Sequence, residues 1–575
     1  FLSWGAVLVP LVIVLTGAWA YRWVQEDAFI NFRIIANMAA GHGPVFNVGE
    51  RVEVYSDPLW LFLLAGLHAA LPWLSLEWIS VVLGLMGTAA GVVLGGRGVQ
   101  RLISGRDGGV TLPIGLLIFS VVAGVWEFAT SGLEMGLTFC WIGLGFWLLV
   151  RTERLKTSAT WCAFVLGLGT LIRPELILMS IVDLVALAIV VKSAGWRGPT
   201  SPGRRYLVPL AAAIALPVLY EIWRMTYFAL VVANTALAKS AASSRWSQGF
   251  TYAWNFVAPY ALWIPLALAI PLVAVRISHW WTRHDRLGVV VLATPLVAAI
   301  VDLLYVARVG GDYQHARLLL PGFMALCLPL SVGTKQLRTL VVIPVVGIVI
   351  WSVACGGWLR FSTGGFYRSD HGITDERTIW ITATSSPHPV VAADYHNQLG
   401  AYLRRQAAKD KARSKQVLIA ESILVSGVPH QPVDLQPAST ALPVSLVVAL
   451  GAIGVTGYLA GPNVYVFDQF SLANPIGSHF QVAARGRPGH EKYIGTDWLF
   501  ARFGAPTAVL PAGVSARSVA AARKALGCAP LSTYLRAITS PWGFSRAVSD
   551  FAHALTYSTM TFSSQPITAE SELCR

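Results

Sequence analysis

Apolar and polar positions alternate in this chain on the scale of whole helices. Up to residue 357 the sequence runs in apolar blocks separated by short polar breaks. Eleven blocks read as membrane spans, each near the roughly 20 apolar residues that a helix needs to cross a bilayer: about 4–21, 76–96, 110–127, 133–150, 158–172, 176–192, 206–223, 253–275, 287–307, 317–333 and 339–357. DPLWLFLLAGLHAALP at 57–72 is short and bounded by proline, which predicts an interfacial or re-entrant helix. A second juxtamembrane helix is predicted over 28–40. From 358 the hydropathy falls. Residues 396–409 have helical spacing, and 513–526 read as a helix before Gly527. QVLIA at 416–420, VSLVVAL at 444–450 and VYVF at 464–467 are β-branched runs flanked by Gly, Pro and Asn, and read as strands. The predicted organisation is a polytopic α-helical membrane domain over 1–357 and a soluble α/β domain over 358–575.

Charge orients this pattern. With the N-terminus inside, the cytoplasmic loops carry Arg97, Arg101 and Arg106; Arg151, Arg154 and Lys156; Lys192, Arg197, Arg204 and Arg205; Arg276, Arg283 and Arg286; and Lys335 and Arg338. Short inside loops rich in Lys and Arg are what topology requires, and counting 57–72 as a span would break the pattern from Arg97 onward. The first span is then an uncleaved anchor, and the tail after the eleventh span is extracytoplasmic. The outside loops hold the varied chemistry: Glu26, Asp27, Glu50, Glu53, Asp57, Glu127, Glu134, Asn234, Lys239, Asp312, His315 and Arg317. In that compartment Cys528 and Cys574 are predicted to form a disulfide.

Composition agrees. The chain has 575 residues, 55% hydrophobic and only 13% charged, with mean hydropathy +0.59 and 22 tryptophans. A simple soluble enzyme and a disordered chain are both excluded. The net charge of +14 is spread without a long basic run, so nucleic acid is not an expected partner.

Three constellations carry candidate chemistry. QEDAFINFR at 25–33 puts Glu26 and Asp27 where the chain leaves the first span. Adjacent carboxylates point different ways, so one can act as base or nucleophile while the other orients; alternatively Asp27 caps the following helix. Arg173 in LIRPE, Lys239 in NTALAKS, and His315 and Arg317 in GGDYQHARLLLP form a set of cations at one face, suited to a lipid-linked phosphate. Pairing with Glu175 and Asp312 is the plainer use of the same residues. Glu134 in TSGLEM could accept a sugar hydroxyl or cap a span. Walker A, HExxH and CxxC motifs are absent, as is a GxGxxG between strand and helix. No inverted repeat supports a transporter.

EDAFINFRIIANMAAGHGPVFNVGERVEVYSDPLW, SGLEMGL, LIRPE, NTALAK, GGDYQHARLLLP, IGVTGYLAGPNVYVFDQFSLANP and GRPGHEKYI together resemble the cell-wall arabinofuranosyltransferases of mycobacteria and their relatives, in particular the terminal β-(1→2) family. These belong to the GT-C class of glycosyltransferases, which use polyprenyl-phosphate sugars. The resemblance implies a multi-pass plasma-membrane enzyme of GT-C fold, with its active site and C-terminal domain outside. It implies transfer of arabinofuranose from decaprenyl-phosphoryl arabinofuranose to the non-reducing ends of arabinan in arabinogalactan or lipoarabinomannan. No cofactor or metal is expected. Asp27, with Glu26, takes the catalytic role. Arg33, Arg173, Lys239, His315 and Arg317 take the donor phosphate, and Glu134, Asn234 and Asp312 the sugar. Tyr458, Asp468 and His490 become acceptor-side candidates. Donor and product of this family are both β-linked, which leaves double displacement at Asp27 and reaction on one face as alternatives. A mannosyl-phosphate-dependent transferase and a non-enzymatic lipid-sugar flippase are the competing readings.

Overall fold

The computed structural model describes residues 2–154, 157–193, 203–240, 243–334, 339–363, 371–423, 435–439, 443–482, 486–487 and 489–575. Lys156, Arg197, Lys335 and Arg338 of the basic loops, and Pro488 of GRPGHEKYI, lie outside this set.

Seven helices among the described residues are long and apolar enough to cross a membrane: Ser3–Ala20, Leu76–Asp107, Met135–Glu153, Pro174–Ser193, Arg204–Tyr227, Trp263–Thr282 and Arg286–Val309. The protein is therefore a multi-pass membrane protein. The other predicted spans coincide with shorter or broken helices. The 110–127 block forms Ile114–Ser120 and Ala123–Thr130, and 253–275 divides into Trp246–Val257 and Trp263–Thr282. Shorter apolar helices, Ala159–Ile172, Arg317–Cys327 and Val341–Gly357, stand at three more predicted positions.

Breaks inside apolar blocks expose backbone groups that hydrocarbon cannot satisfy. Buried indoles meet this need. Trp126 donates its Nε1–H to the Ser120 carbonyl at 2.7 Å, Trp351 to the Tyr260 carbonyl at 2.9 Å, and Trp141 to the Val165 carbonyl at 2.7 Å. Tryptophan thus serves the bundle interior as well as the interface. Glycine sets the closest helix pair. A Cβ on Gly91 would press on the Phe139 carbonyl, and one on Gly143 on the Gly91 carbonyl, so Leu76–Asp107 and Met135–Glu153 meet backbone to backbone.

Two hydrophobic cores result. One fills the bundle. The other joins residues 23–81 to the C-terminal part, where Phe29, Phe46 and Trp60 belong to the same cluster as Val447, Phe467 and Trp498. Residues 23–81, the loop read above as the first outer one, and the tail are thus packed as one body against the bundle.

The tail contains a four-stranded sheet. A two-residue pair, β1 (Thr111–Leu112) with β2 (Val332–Gly333), precedes it in the chain. β3 (Val417–Ile423), β4 (Leu435–Pro437), β5 (Leu446–Leu450) and β6 (Val464–Asp468) stand in the order β4-β3-β5-β6. β3, β5 and β6 are parallel and β4 is an antiparallel edge. All five residues of β5 and of β6 are buried, as continuous apolar runs in a covered parallel sheet should be. Cys528 and Cys574 form a disulfide that ties helix Ala516–Gly527 to the last helix, Pro566–Leu573.

Candidate active site

Helix Ala28–Ala39 begins at the acidic pair. Asp27 holds its N-cap position, yet its side chain makes no capping hydrogen bond. The carboxylate turns instead toward the 310–317 loop. Tyr313 donates its hydroxyl to Asp27 Oδ2 at 3.2 Å, Gln314 donates Nε2–H to the same oxygen at 3.3 Å, and Gln25 does so at 3.4 Å. Arg317 lies 3.9 Å from it. Every one of these contacts falls on Oδ2; Oδ1 receives none among the described residues. The loop is delivered by Gly310 and Gly311, both at positive φ (96° and 72°), and a Cβ on Gly311 would enter the Tyr252 ring.

Glu26 points the other way. Its carboxylate accepts from the N–H groups of Gly454 (2.5 Å) and Val455 (3.1 Å), at the start of the helix Gly454–Ala460 that follows β5. Burial, then the charges of Asp27 and Glu376, push its pKa up to about 8. Glu376 starts the helix Glu376–Thr384. It accepts from Gln25 Nε2 at 2.9 Å and from the Trp380 indole at 3.2 Å. Its pKa is also raised to about 8, by burial first and by Asp27 second. One amide, Gln25, therefore bridges Asp27 and Glu376. Of the three acids, Asp27 is the one with an arginine partner and appreciable exposure, 27% of its side chain.

A cavity of about 230 Å³ opens over this group, lined by Glu26, Asp27, Lys239, Tyr313, Glu376, Trp380, Gly451–Ile453, Phe470, Arg487 and His490. It sits at the carboxyl ends of β5 and β6, the edge where parallel α/β sheets bind ligands. His490 stands edge-on to Tyr313 and to Phe470. Arg487 covers the Tyr313 ring and donates to Thr374 Oγ1 at 3.1 Å. A smaller cleft of about 60 Å³ shares Asp27, Lys239 and Leu472 with it and adds Asn31, Asp57, Glu134 and Arg317. Burial, with Glu134 nearby, lifts Asp57 to about 7. A larger cavity, about 870 Å³, lies between the first outer loop and the tail at Arg51, Tyr227, Arg502 and Trp542. Glu50 lines it but is tied to Arg502 and Tyr465, and none of the residues expected to serve catalysis, donor or acceptor is there, so the site is assigned to the smaller space.

The sequence candidates divide accordingly. Asp27, Glu26, Lys239 and His490 line the main cavity, and Glu134 and Arg317 the adjoining cleft. Arg173 stands behind Glu134 at 3.1 Å and also pairs with Glu175. Asp312 lies 3.7 Å from Arg317 and accepts from the Tyr313 N–H at 2.8 Å.

The rest are placed away from the cavities. Arg33 is buried, donating to the carbonyls of Phe46 and Val464 at 2.7 Å each and to that of Gly457, which clamps the first outer loop to the sheet. His315 is held by Asn255 (2.7 Å) and Tyr260 (3.1 Å) and stacks on Phe361. Asn234 donates to the carbonyls of Ser471 and Leu472 at 3.1 and 2.8 Å. Asp468 accepts from the N–H groups of Phe470 and Ala473 at 2.9 and 2.7 Å, shaping the loop that brings Phe470 and Leu472 to the cavity. Tyr458 packs on Phe29 and Phe32.

Sequence reasoning missed Glu376, Trp380, Gln25 and Arg487. Gln25 and Arg487 lay inside or beside quoted motifs, and Tyr313 and Gln314 inside GGDYQHARLLLP. Glu376 and Trp380 lie in a segment with no repeat or motif around them.

Residues 393–572 match the AftB family C-terminal domain. Over 96% of its length the chain is 31% identical to the terminal β-(1→2)-arabinofuranosyltransferase of Mycobacterium tuberculosis, covering 94% of that protein. Over 96% of its length it is also 31% identical to the terminal β-(1→2)-arabinofuranosyltransferase of Corynebacterium glutamicum, covering 84% of that one. No solved structure matches the chain.

Proposed function

The chain belongs to the terminal β-(1→2)-arabinofuranosyltransferase family, and from that premise we propose how it handles its substrates. It is a glycosyltransferase, and the group it transfers is arabinofuranose, to cell-wall arabinan. Its donor is decaprenyl-phosphoryl arabinofuranose, which enters laterally from the bilayer. Its acceptor is the non-reducing end of arabinan in arabinogalactan or lipoarabinomannan. The chain crosses the plasma membrane eleven times, counting the short and broken helices, in a GT-C arrangement. Its active site and C-terminal domain face outward.

The observation that carries this reading is the position of Asp27 between two spaces of different character. On the bundle side Arg317 and Lys239 line a cleft with Glu134 and Asp57. On the tail side His490, Trp380 and Phe470 surround a wider cavity. A lipid phosphate fits the first and a sugar the second. In reaction on one face the carbon–oxygen bond to phosphate breaks as the bond to the acceptor oxygen forms; in double displacement it is exchanged first for a bond to Asp27 Oδ1 and then for the bond to the acceptor oxygen. Arg317, Lys239 and Arg487 stabilise the leaving phosphate, so no proton donor, metal or cofactor is needed there. The acceptor proton passes to a carboxylate. Asp27 Oδ1 is the reacting oxygen, with Oδ2 fixed by Tyr313 and Gln314. Trapping an arabinosyl ester on Asp27 would establish double displacement; its absence in a fully active enzyme would establish reaction on one face.

Donor competition tests the sugar. Purified protein in lipid receives polyprenyl-phosphoryl arabinofuranose or polyprenyl-phosphoryl mannose, with a short arabinan as acceptor. Transfer from the first donor alone is expected. Transfer of mannose at an equal rate would overturn the donor assignment, and translocation of either lipid without transfer would support the flippase.

A further inference from the structure

Helix Phe544–Thr559, near the C-terminus, has a face that nothing among the described residues covers. Phe544, Val548, Phe551 and Leu555 are spaced 4, 3 and 4 residues apart and are 89%, 56%, 44% and 62% exposed. At about 100° per residue they fall in one narrow stripe. Asp550, Ala554 and Tyr557 form the buried face. Ser545, His553 and Thr556 are exposed along the flank between the two. A helix of a water-soluble domain does not ordinarily leave four large apolar side chains in one exposed stripe.

The location says what meets it. The helix packs on Arg204–Tyr227, a membrane-crossing helix whose own surface is almost wholly apolar and exposed. It docks at the end opposite Arg204 and Arg205, where that span leaves the bilayer. Trp542 donates its indole N–H to the Thr226 carbonyl at 2.9 Å, and the Val231 N–H donates to Ser558 Oγ at 2.9 Å, so both ends of the docked helix are tied there. Beside it Trp223 stacks on Tyr227 and Trp542 meets Tyr227 edge-on, which is the aromatic composition of the bilayer–water boundary. The helix that bears the exposed stripe thus docks at the end of an apolar membrane-crossing helix.

We propose that Phe544–Thr559 lies in the membrane interface with this stripe in the acyl boundary, so that the C-terminal domain rests on lipid as well as on the bundle. This is the geometry of an interfacial amphipathic helix. It fixes the height of the sheet edge, and of the main cavity, above the bilayer from which a lipid substrate would arrive. The inference rests on the bilayer placement of the apolar helices and is independent of which sugar is transferred.

The test is collisional accessibility of nitroxide labels on the full chain in phosphatidylethanolamine–phosphatidylglycerol nanodiscs. Labels are introduced one at a time by Val548→Cys, Phe551→Cys and Leu555→Cys, with Ser545→Cys and His553→Cys on the flank and unsubstituted protein as background. All five positions are exposed, so no core is disturbed. Oxygen accessibility several-fold above that of a water-soluble nickel chelate is expected at 548, 551 and 555, with the order inverted at 545 and 553. Nickel accessibility at 548, 551 and 555 equal to that at 545 and 553 would overturn the proposal. So would occlusion from both reagents, which would mean that a second protein surface covers the stripe.

Discussion

Asp27 stands where a helix would normally take its cap, and its carboxylate is spent elsewhere. Its ties to Tyr313, Gln314 and Arg317 come from the 310–317 loop rather than from its own helix. Around it, Glu26 and Glu376 are raised to about 8 from 4.5 by burial and then by neighbouring acids, chiefly Asp27. A raised carboxyl is protonated more readily in the folded state. Its contribution to stability is fully present below the unfolded value and is lost as pH rises through about 8. Melting temperature is expected to fall between pH 5 and 8, and Glu376→Gln should flatten part of that slope, measured by thermal unfolding across pH. Transfer should decline above about pH 8 for the same reason, because Glu376 then adds a negative charge beside Asp27 in the main cavity. Among the described residues Arg487 donates to one side chain, Thr374, at the cavity rim. Arg487→Ala is expected to raise KM for the lipid donor by about 10-fold, near the value of one charge-assisted hydrogen bond, with melting unchanged.

At the scale of elements, the broken helices make the sharpest prediction. Trp126 satisfies the Ser120 carbonyl inside the bundle. Trp126→Phe keeps most of the ring and loses the donor, so it should cost about 1–3 kcal/mol, read as a lower melting temperature in detergent or lipid. The apolar blocks themselves were legible, because hydropathy reports burial in lipid or protein. What a window cannot report is where a helix stops inside a block: 110–127 and 253–275 break where buried indoles donate to the carbonyls of Ser120 and Tyr260. The strands at 416–420, 444–450 and 464–467 were legible from β-branched runs, and they form β3, β5 and β6. The site was legible in its charged motifs. Asp27, Glu26, Glu134, Lys239 and Arg317 all border the two spaces. Residue type alone could not separate these from Arg33, Asn234 and Asp468, whose polar groups serve backbone carbonyls and N–H groups. Glu376 was invisible because it reaches Asp27 only through tertiary folding, by way of Gln25.

At the scale of the molecule, one apolar core sits in the bundle and a second joins the first outer loop to the tail. Asp27, the proposed reacting carboxylate, lies where the two bodies meet, so on this proposal their relative position is part of the active site. Cys528–Cys574 closes 46 residues of the tail and lines neither of the two spaces at Asp27. Cys574→Ser is expected to lower stability by about 4 kcal/mol in the chain-entropy model and to leave transfer by the folded protein intact, measured by thermal unfolding beside an activity assay. The central claim concerns Asp27 itself. Its most direct test is transfer from polyprenyl-phosphoryl arabinofuranose to a short arabinan by wild type and Asp27→Asn, with folding and donor binding measured on both. Loss of transfer by at least about 10³-fold with donor binding retained is the predicted result. Full transfer by the folded Asp27→Asn protein would contradict the account and move the chemistry to Glu26 or Glu376.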